Sequence, residues 1–211
     1  MLILENTHNM AGGRAVPIDA LTATAGAAAE AGLATHLDGA RIFNAAVALG
    51  VPAAAIAAPF DTVMFCISKG LSAPVGSLLC GPAALIEEAR RVRKLFGGGM
   101  RQVGVLAAAG LVALRHGIDR LAEDHDNARR LADGLTASGK LKLAFGHVDT
   151  NIVVLDVGDW GGSAEQFVAA AAAAGVACAA VGPNQVRLVT HRHVNAEIID
   201  AAVARLSVAV G

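Results

Sequence analysis

The stretch CISKGLSAPVGS, residues 66–77, places a lysine directly after one apolar run and shortly before another. The two runs, 63–67 and 75–80, have the composition of strands. Lys69 therefore stands where the chain leaves a predicted sheet, between a serine and a glycine. Because an ammonium group is strongly hydrated, its position beside a buried strand indicates a specific role.

Outward from this stretch, strand-like and helix-like segments alternate along the chain, which predicts an α/β fold with a mostly parallel sheet. Proline opens two of the helices, at 17 and 82, and Gly32 ends the first of them. The predicted strands are 2–4, 33–37, 61–67, 75–80, 152–157, 176–181 and 186–189. The predicted helices are 17–31, 41–49, 82 up to the glycines at 97–99, 103–115, 118–137, 164–174 and 195–210, the last with an N-cap at Asn195.

The pattern of predicted strands and helices changes after the long helical stretch near residue 118. We therefore expect a large domain at 1–117 and a small C-terminal α+β domain at 118–211. The apolar run 103–114 is too short to span a bilayer and is expected to be a buried helix.

Composition excludes several classes of protein. The chain has 211 residues, 55% of them hydrophobic, and a formal net charge of -1, so it can bury a core and offers no basic surface for nucleic acid or membranes. It has no Tyr and one Trp, which disfavours base-stacking modules. Three widely spaced cysteines and a start without a basic signal-like segment predict a cytoplasmic protein with reduced thiols.

Polar side chains follow several predicted strands at their carboxyl ends, where open α/β sheets bind ligands. They are Asp38, Lys69 and the group around His8 and Asn9. A lysine and an acid at this edge suggest pyridoxal phosphate chemistry, with the lysine as Schiff-base former and the acid as partner of the pyridinium nitrogen. We expect Arg41 one turn beyond Asp38, on the same helix face. Taken singly, Lys69 is more typical of a solvated loop, Asp38 of a turn or helix cap, and Arg41 of a surface charge.

Six motifs, in order along essentially the whole chain, resemble the low-specificity L-threonine aldolases, which are fold-type I pyridoxal-phosphate enzymes. They are LENTHN (4–9), HLDGARIFNA (36–45), CISKGLSAPVGSLL (66–79), RKLFGGGMRQ (93–102), EDHDNA (123–128) and VRLVTH (186–191). By this resemblance residues 1–117 form the C-terminal part of the large cofactor-binding domain. The implied reaction is cleavage of L-threonine or L-allo-threonine to glycine and acetaldehyde by retro-aldol Cα–Cβ scission.

The resemblance also assigns roles to individual residues. It implies that Lys69 binds pyridoxal 5'-phosphate, that Asp38 and Arg41 contact its ring, and that Arg187 binds the substrate carboxylate. Lys94 and Arg101 match residues that reach the active site of a partner subunit, so a homodimer or homotetramer is expected. Without the resemblance, Arg187 could be an edge charge and Lys94 part of a solvated helix face.

The remaining candidates are weaker. His8 and Asn9 are expected at the edge of the site, where related folds place an asparagine near the cofactor. The histidines at 36 and 125 are expected to be structural, and those at 191 and 193 to lie in a loop or beside the site. No pair or triplet has the spacing of metal ligands.

The resemblance begins inside the family pattern, and we expect the family's N-terminal segment to be missing. That segment carries the phosphate-binding loop and the histidine that stacks on the cofactor ring. The alternative function is therefore a non-catalytic remnant of a threonine aldolase that retains little or no cofactor.

Overall fold

The computed structural model describes residues 1–209 and forms two compact units. The first contains residues 1–7 and 15–119, and the second contains residues 8–14 and the chain from 120 onward. The predicted boundary after residue 117 lies two residues before this division. The allocation of residues 8–14 to the second unit was not anticipated from the sequence.

The first unit is built on a four-stranded sheet with the order β1-β2-β3-β4. Strands β1, β2 and β3 are parallel, whereas β4 runs antiparallel to β3 because a short loop reverses the chain between them. The bounds are β1 (Leu2–Glu5), β2 (Thr35–Asp38), β3 (Thr62–Cys66) and β4 (Ser77–Cys80).

Helices connect and flank these strands. They are α1 (Ile18–Glu30), α2 (Ile42–Leu49), α3 (Ala53–Ala57), α4 (Ala83–Leu95) and α5 (Gly104–His116).

The first helix shows how sequence pattern becomes packing. Its buried residues are Leu21, Ala25 and Ala28, which recur at helical spacing and face the core. The helix ends because Gly32 adopts a φ of +71°, which a residue with a side chain rarely adopts. The core of this unit is centred on Leu21, Leu37 and Ile56, all nearly or fully excluded from solvent.

The later part of the first unit differs from prediction in its burial. The run 103–114 forms the expected helix α5, but only Gly110 and Ala113 of that helix are buried. The expectation of a buried helix is therefore wrong for most of its length. Its Leu111 and Val112 are more than half exposed.

The second unit contains an antiparallel sheet with the order β5-β6-β8-β7 and three helices. The elements are α6 (Leu121–Thr136), β5 (Lys142–Leu143), β6 (Ile152–Asp156), α7 (Ala164–Ala173), β7 (Ala179–Gly182), β8 (Gln185–Val189) and α8 (Ala196–Ala209). Asn195 caps α8 as predicted, since its Oδ1 accepts a hydrogen bond from the N–H of Ile198. Val210, the predicted end of this helix, lies outside the described residues.

One face of this sheet is packed against helices. Val153, Leu155, Val186 and Leu188 point to that face and form a single core with Phe167 and residues of α6, α7 and α8. Residues of the opposite face alternate with them along each strand. No helix among residues 1–209 is long and apolar enough to cross a bilayer.

Candidate active site

Lys69 lies in the loop between β3 and β4, and that loop is held by its own backbone. The N–H of Ile67 donates to the carbonyl of Gly76 at 3.0 Å, and the N–H of Ala73 donates to the carbonyl of Ile67 at 2.9 Å. The N–H of Ser72 donates to the carbonyl of Lys69 at 2.9 Å, which closes a turn. Lys69 itself is exposed, and its ammonium forms no ion pair within residues 1–209.

Asp38 is the last residue of β2, the strand next to β3. One carboxylate oxygen accepts a hydrogen bond from the N–H of Ala40 at 3.0 Å, and the side chain is half-buried. The turn that follows lies tight against β3, because the N–H of Gly39 donates to the carbonyl of Met64 at 2.9 Å. A Cβ at Gly39 would lie 2.8 Å from that same carbonyl oxygen, so only glycine fits.

Asp38 therefore ends β2 and Lys69 follows β3, so both lie at the carboxyl ends of two adjacent parallel strands, as the sequence predicted. This edge of a parallel sheet is where α/β proteins bind their ligands. This edge thus carries a carboxylate held by a backbone N–H and an ammonium that has no ion-pair partner within residues 1–209.

Arg41 does not share a helix face with Asp38, which corrects the expectation. Asp38 belongs to β2, and α2 begins only at Ile42, with Arg41 as its N-cap residue. The turn at Gly39 and Ala40 separates the two, because the chain must leave the sheet before a helix can start. Arg41 remains near the site in sequence and is half-buried.

Two buried polar residues beside Asp38 were not singled out from the sequence. The N–H of Asn6 donates to the carbonyl of Asp38 at 3.0 Å. The side-chain oxygen of Asn6 accepts from the N–H of Val16 at 3.0 Å, and its side-chain nitrogen donates to the carbonyl of Val16 at 3.1 Å. Thr7 is 1% exposed. Their position directly after the apolar run of β1, within LENTHN, is the sequence signal that indicates a place at this edge of the sheet. Asn6 is therefore a buried asparagine at this edge, and Asn9 stays a candidate in addition to it.

Lys94 and Arg101 do not belong to the segments that follow β1, β2 and β3. Lys94 occupies the last turn of α4, and Arg101 lies in the loop between α4 and α5. Both are exposed, and neither has a carboxylate partner in the described part of the chain.

Arg187 belongs to the second unit, in the middle of β8 opposite Val154 of β6. Its neighbours Val186 and Leu188 face the helices, so Arg187 lies on the other face of that sheet. Its Nε is buried and has no hydrogen-bond partner among residues 1–209. Burial disfavours the charged form of the Arg187 guanidinium and so lowers its pKa. An anion bound to the guanidinium would offset this loss of hydration.

The segment that contains His8 and Asn9 also belongs to the second unit. The hydroxyl of Thr150 donates to the carbonyl of Gly13 at 2.7 Å, and a Cβ at Gly13 would lie 3.1 Å from Ile152. Ile152 and Val154 share a sheet face, so this segment packs on the face that carries Arg187.

Within that segment the two predicted edge residues differ in exposure. His8 is exposed, and its Nδ1 accepts a hydrogen bond from the N–H of Ala11 at 3.2 Å. Asn9 is half-buried and begins a short 3-10 helix, Asn9–Ala11.

The histidines at 36, 125, 191 and 193 differ in their surroundings. The ring of His36 is hydrogen-bonded to the hydroxyl of Thr62 at 2.7 Å. His125 is buried in α6, where burial and the nearby Arg129 lower its pKa to about 4. His191 and His193 are exposed, with ring centroids 5.6 Å apart. Within the described chain, no group of three or more His, Cys, Asp or Glu side chains could hold a metal ion.

Comparison with known proteins identifies the family. The family model for beta-eliminating lyases matches residues 1–158. A probable low-specificity L-threonine aldolase of Arabidopsis thaliana is 48% identical over 157 residues, which cover 74% of this chain and 44% of the relative. The low specificity L-threonine aldolase of Escherichia coli is 46% identical over 159 residues, covering 75% of this chain and 46% of the relative.

Solved structures show the same fold. A Listeria monocytogenes protein assigned as an L-allo-threonine aldolase superposes with a TM-score of 0.82 at 19% identity, over 98% of this chain and 60% of that one. Threonine aldolase from Leishmania major gives a TM-score of 0.79 at 22% identity, over 99% of this chain and 60% of that one.

The chain belongs to the beta-eliminating lyase family, and its resemblance to low-specificity L-threonine aldolases is confirmed. Its fold is that of fold-type I pyridoxal-phosphate enzymes, as expected. The chain spans about half the length of the curated relatives it matches.

Proposed function

We propose that this chain catalyses pyridoxal-phosphate-dependent cleavage of L-threonine and L-allo-threonine to glycine and acetaldehyde. The observation that carries the proposal is the placement of Lys69 and Asp38 after the carboxyl ends of adjacent strands. Its family and the names of its aldolase relatives support the same reaction.

The residues at this edge fit the cofactor. The amine of Lys69 is exposed and has no ion-pair partner within residues 1–209, so it can bind the aldehyde carbon of pyridoxal phosphate. The carboxylate of Asp38 is oriented by the N–H of Ala40 and can hold a proton on the pyridine nitrogen. Arg41 is proposed to contact the ring. When bound, pyridoxal phosphate supplies an electron sink for the pair of electrons released by Cα–Cβ cleavage.

Arg187 is proposed to bind the α-carboxylate of the substrate. Its buried Nε has no partner within residues 1–209, so a planar anion would complete its hydrogen bonding. Fixing the carboxylate orients the bond to be broken. His8 and Asn9 are proposed as residues at the margin of the site, and no metal is required.

A second copy of the chain is the proposed partner. Apolar side chains of α4, α5 and the loop between them are exposed, including Leu95 at 71%, Phe96 at 87% and Val105 at 71%. A helix as apolar as α5 is typically covered in the assembled protein. In a homodimer or homotetramer, Lys94 and Arg101 would contact the partner's site. The three cysteines are free, which is compatible with the proposed cytoplasmic location.

A threonine-cleavage assay tests the reaction. The purified protein is incubated with pyridoxal phosphate and either L-threonine or L-allo-threonine, and acetaldehyde and glycine are measured together. Lys69→Ala should abolish both products. Arg187→Gln should raise KM about tenfold or more, because a charged hydrogen-bond donor is lost.

Lys140→Ala is the control, since Lys140 is an exposed lysine of the second unit with no proposed role. It should leave the rate unchanged. Equal product formation by wild-type protein and Lys69→Ala would contradict the proposal. A folded protein that yields no product and retains no cofactor would instead support the non-catalytic alternative.

A further inference from the structure

Thr7 is a buried threonine whose hydroxyl has no hydrogen-bond partner within residues 1–209. Its side chain is 1% exposed. A buried polar group without a partner costs free energy, so native proteins contain few of them and each one requires a physical explanation.

The backbone around Thr7 is fixed at the end of the sheet where Asp38 lies. Glu5 is in register with Asp38, and the next residue, Asn6, donates its N–H to the carbonyl of Asp38 at 3.0 Å. The side chain of Asn6 is tied to both backbone groups of Val16. The hydrogen bonds of Asn6 therefore fix the position of Thr7 directly after β1.

Thr35, at the start of β2, shows how the same sheet treats a buried threonine at its other end. Thr35 is 3% exposed. Its hydroxyl donates to the carboxylate of Asp61 at 3.0 Å and accepts from the N–H of Asp61 at 3.0 Å. The buried hydroxyl of Thr35, at the amino end of the sheet, thus has protein partners, whereas that of Thr7, at the carboxyl end, has none within residues 1–209.

We propose that the hydroxyl of Thr7 donates a hydrogen bond to an oxygen of bound pyridoxal phosphate. The inference rests on the proposed function and adds a cofactor-binding residue to it. A ligand oxygen supplies the partner that the protein lacks, and the pre-positioned donor loses little freedom on binding. Thr7 is placed with Asp38 at the edge where α/β sheets bind ligands.

Replacing Thr7 with valine tests the proposal, because valine keeps the shape and removes only the hydroxyl. The dissociation constant for pyridoxal phosphate is measured by absorbance titration, and the urea midpoint is measured without cofactor. Thr7→Val should weaken cofactor binding about tenfold or more. Its cofactor-free urea midpoint should be unchanged or higher, since no internal hydrogen bond is lost. Thr7→Ser should retain most of the affinity.

Thr35→Val is the matched control and should behave in the opposite way. It breaks two hydrogen bonds to Asp61, so its urea midpoint should fall while its cofactor affinity stays the same.

A fall in the midpoint of Thr7→Val similar to that of Thr35→Val would overturn the proposal, because the hydroxyl would then have a protein partner. Unchanged cofactor affinity in Thr7→Val would also overturn it, even if KM for threonine rose, since the contact would be to the substrate. Wild-type protein that shows no saturable, Lys69-dependent binding would overturn the proposed function along with it.

Discussion

The second unit and residues 77–116 of the first unit use apolar residues in opposite ways. The second unit buries Leu155, Phe167 and Leu206 completely within one core. By contrast, no residue of β4 or α4 is buried, and α5 buries only two. An apolar sequence therefore indicates that a surface will be covered, but not whether the same chain covers it.

The same substitution, Phe to Ala, made in both regions tests this difference in burial with the largest expected effect. Phe167→Ala should lower the free energy of unfolding by about 3–5 kcal/mol, because it opens a cavity in the core and removes the contact with Trp160. Phe96→Ala, at a position that is 87% exposed, should change it by less than about 0.5 kcal/mol. Urea denaturation of dilute protein measures both, and equal losses would contradict the contrast.

A second effect tests the burial of α6 through pH. The pKa of His125 is lowered to about 4 in the folded protein, below its ordinary value of 6.5. The unfolded chain therefore binds the proton more readily, and stability should fall as pH decreases from 6.5 toward 4. The loss attributable to His125 is roughly 3 kcal/mol.

Urea midpoints of wild-type protein and His125→Gln, measured across this pH range, isolate the contribution of His125 to the pH dependence of stability. The variant should show a flatter profile than the wild type. Parallel profiles would mean that His125 is not held neutral by burial.

A smaller effect concerns the start of α7. The hydroxyl of Ser163 accepts from the N–H of Gln166, and the side chain of Gln166 accepts from the N–H of Ser163. Ser163→Ala should cost about 1 kcal/mol of unfolding free energy, because one helix N–H loses its partner. Thermal unfolding measures the loss. Ser138→Ala is the control, since the Ser138 hydroxyl is exposed and accepts only a long bond of 3.4 Å from the N–H of Lys140, outside any helix.

The smallest effect on stability is expected at Leu95, which is 71% exposed. Leu95→Gln should leave the unfolding free energy of dilute protein within about 0.5 kcal/mol. It should nevertheless weaken self-association in sedimentation velocity, if this surface contacts a second copy. Unaltered sedimentation over a range of concentrations would remove α4 from the proposed interface.

Local patterns were sufficient to predict most elements of the fold. The spacing of Leu21, Ala25 and Ala28 and the stop at Gly32 define α1, and the structure has the helix there. Asp38 and Lys69 were predicted at strand ends because the apolar runs before them are short and uninterrupted. Such features depend on neighbours in sequence, so the sequence alone reveals them.

Features that depend on distant residues could not be predicted. Asn6 is fixed by Val16, ten residues away, and its proximity to Asp38 requires the pairing of β1 with β2. The packing of Gly13 against Thr150 joins residues that are far apart in the chain. The exposure of α5 likewise depends on which other surfaces are present to cover it.

Covalent trapping of the cofactor tests whether Lys69 binds pyridoxal phosphate. Protein mixed with the cofactor is treated with sodium borohydride, which fixes the cofactor to its lysine, and the digested peptides are mapped by mass spectrometry. One dominant adduct is expected on the peptide that contains Lys69, and none there in Lys69→Ala. Labelling spread over Lys94, Lys140 and Lys142, with Lys69 unmodified, would contradict it.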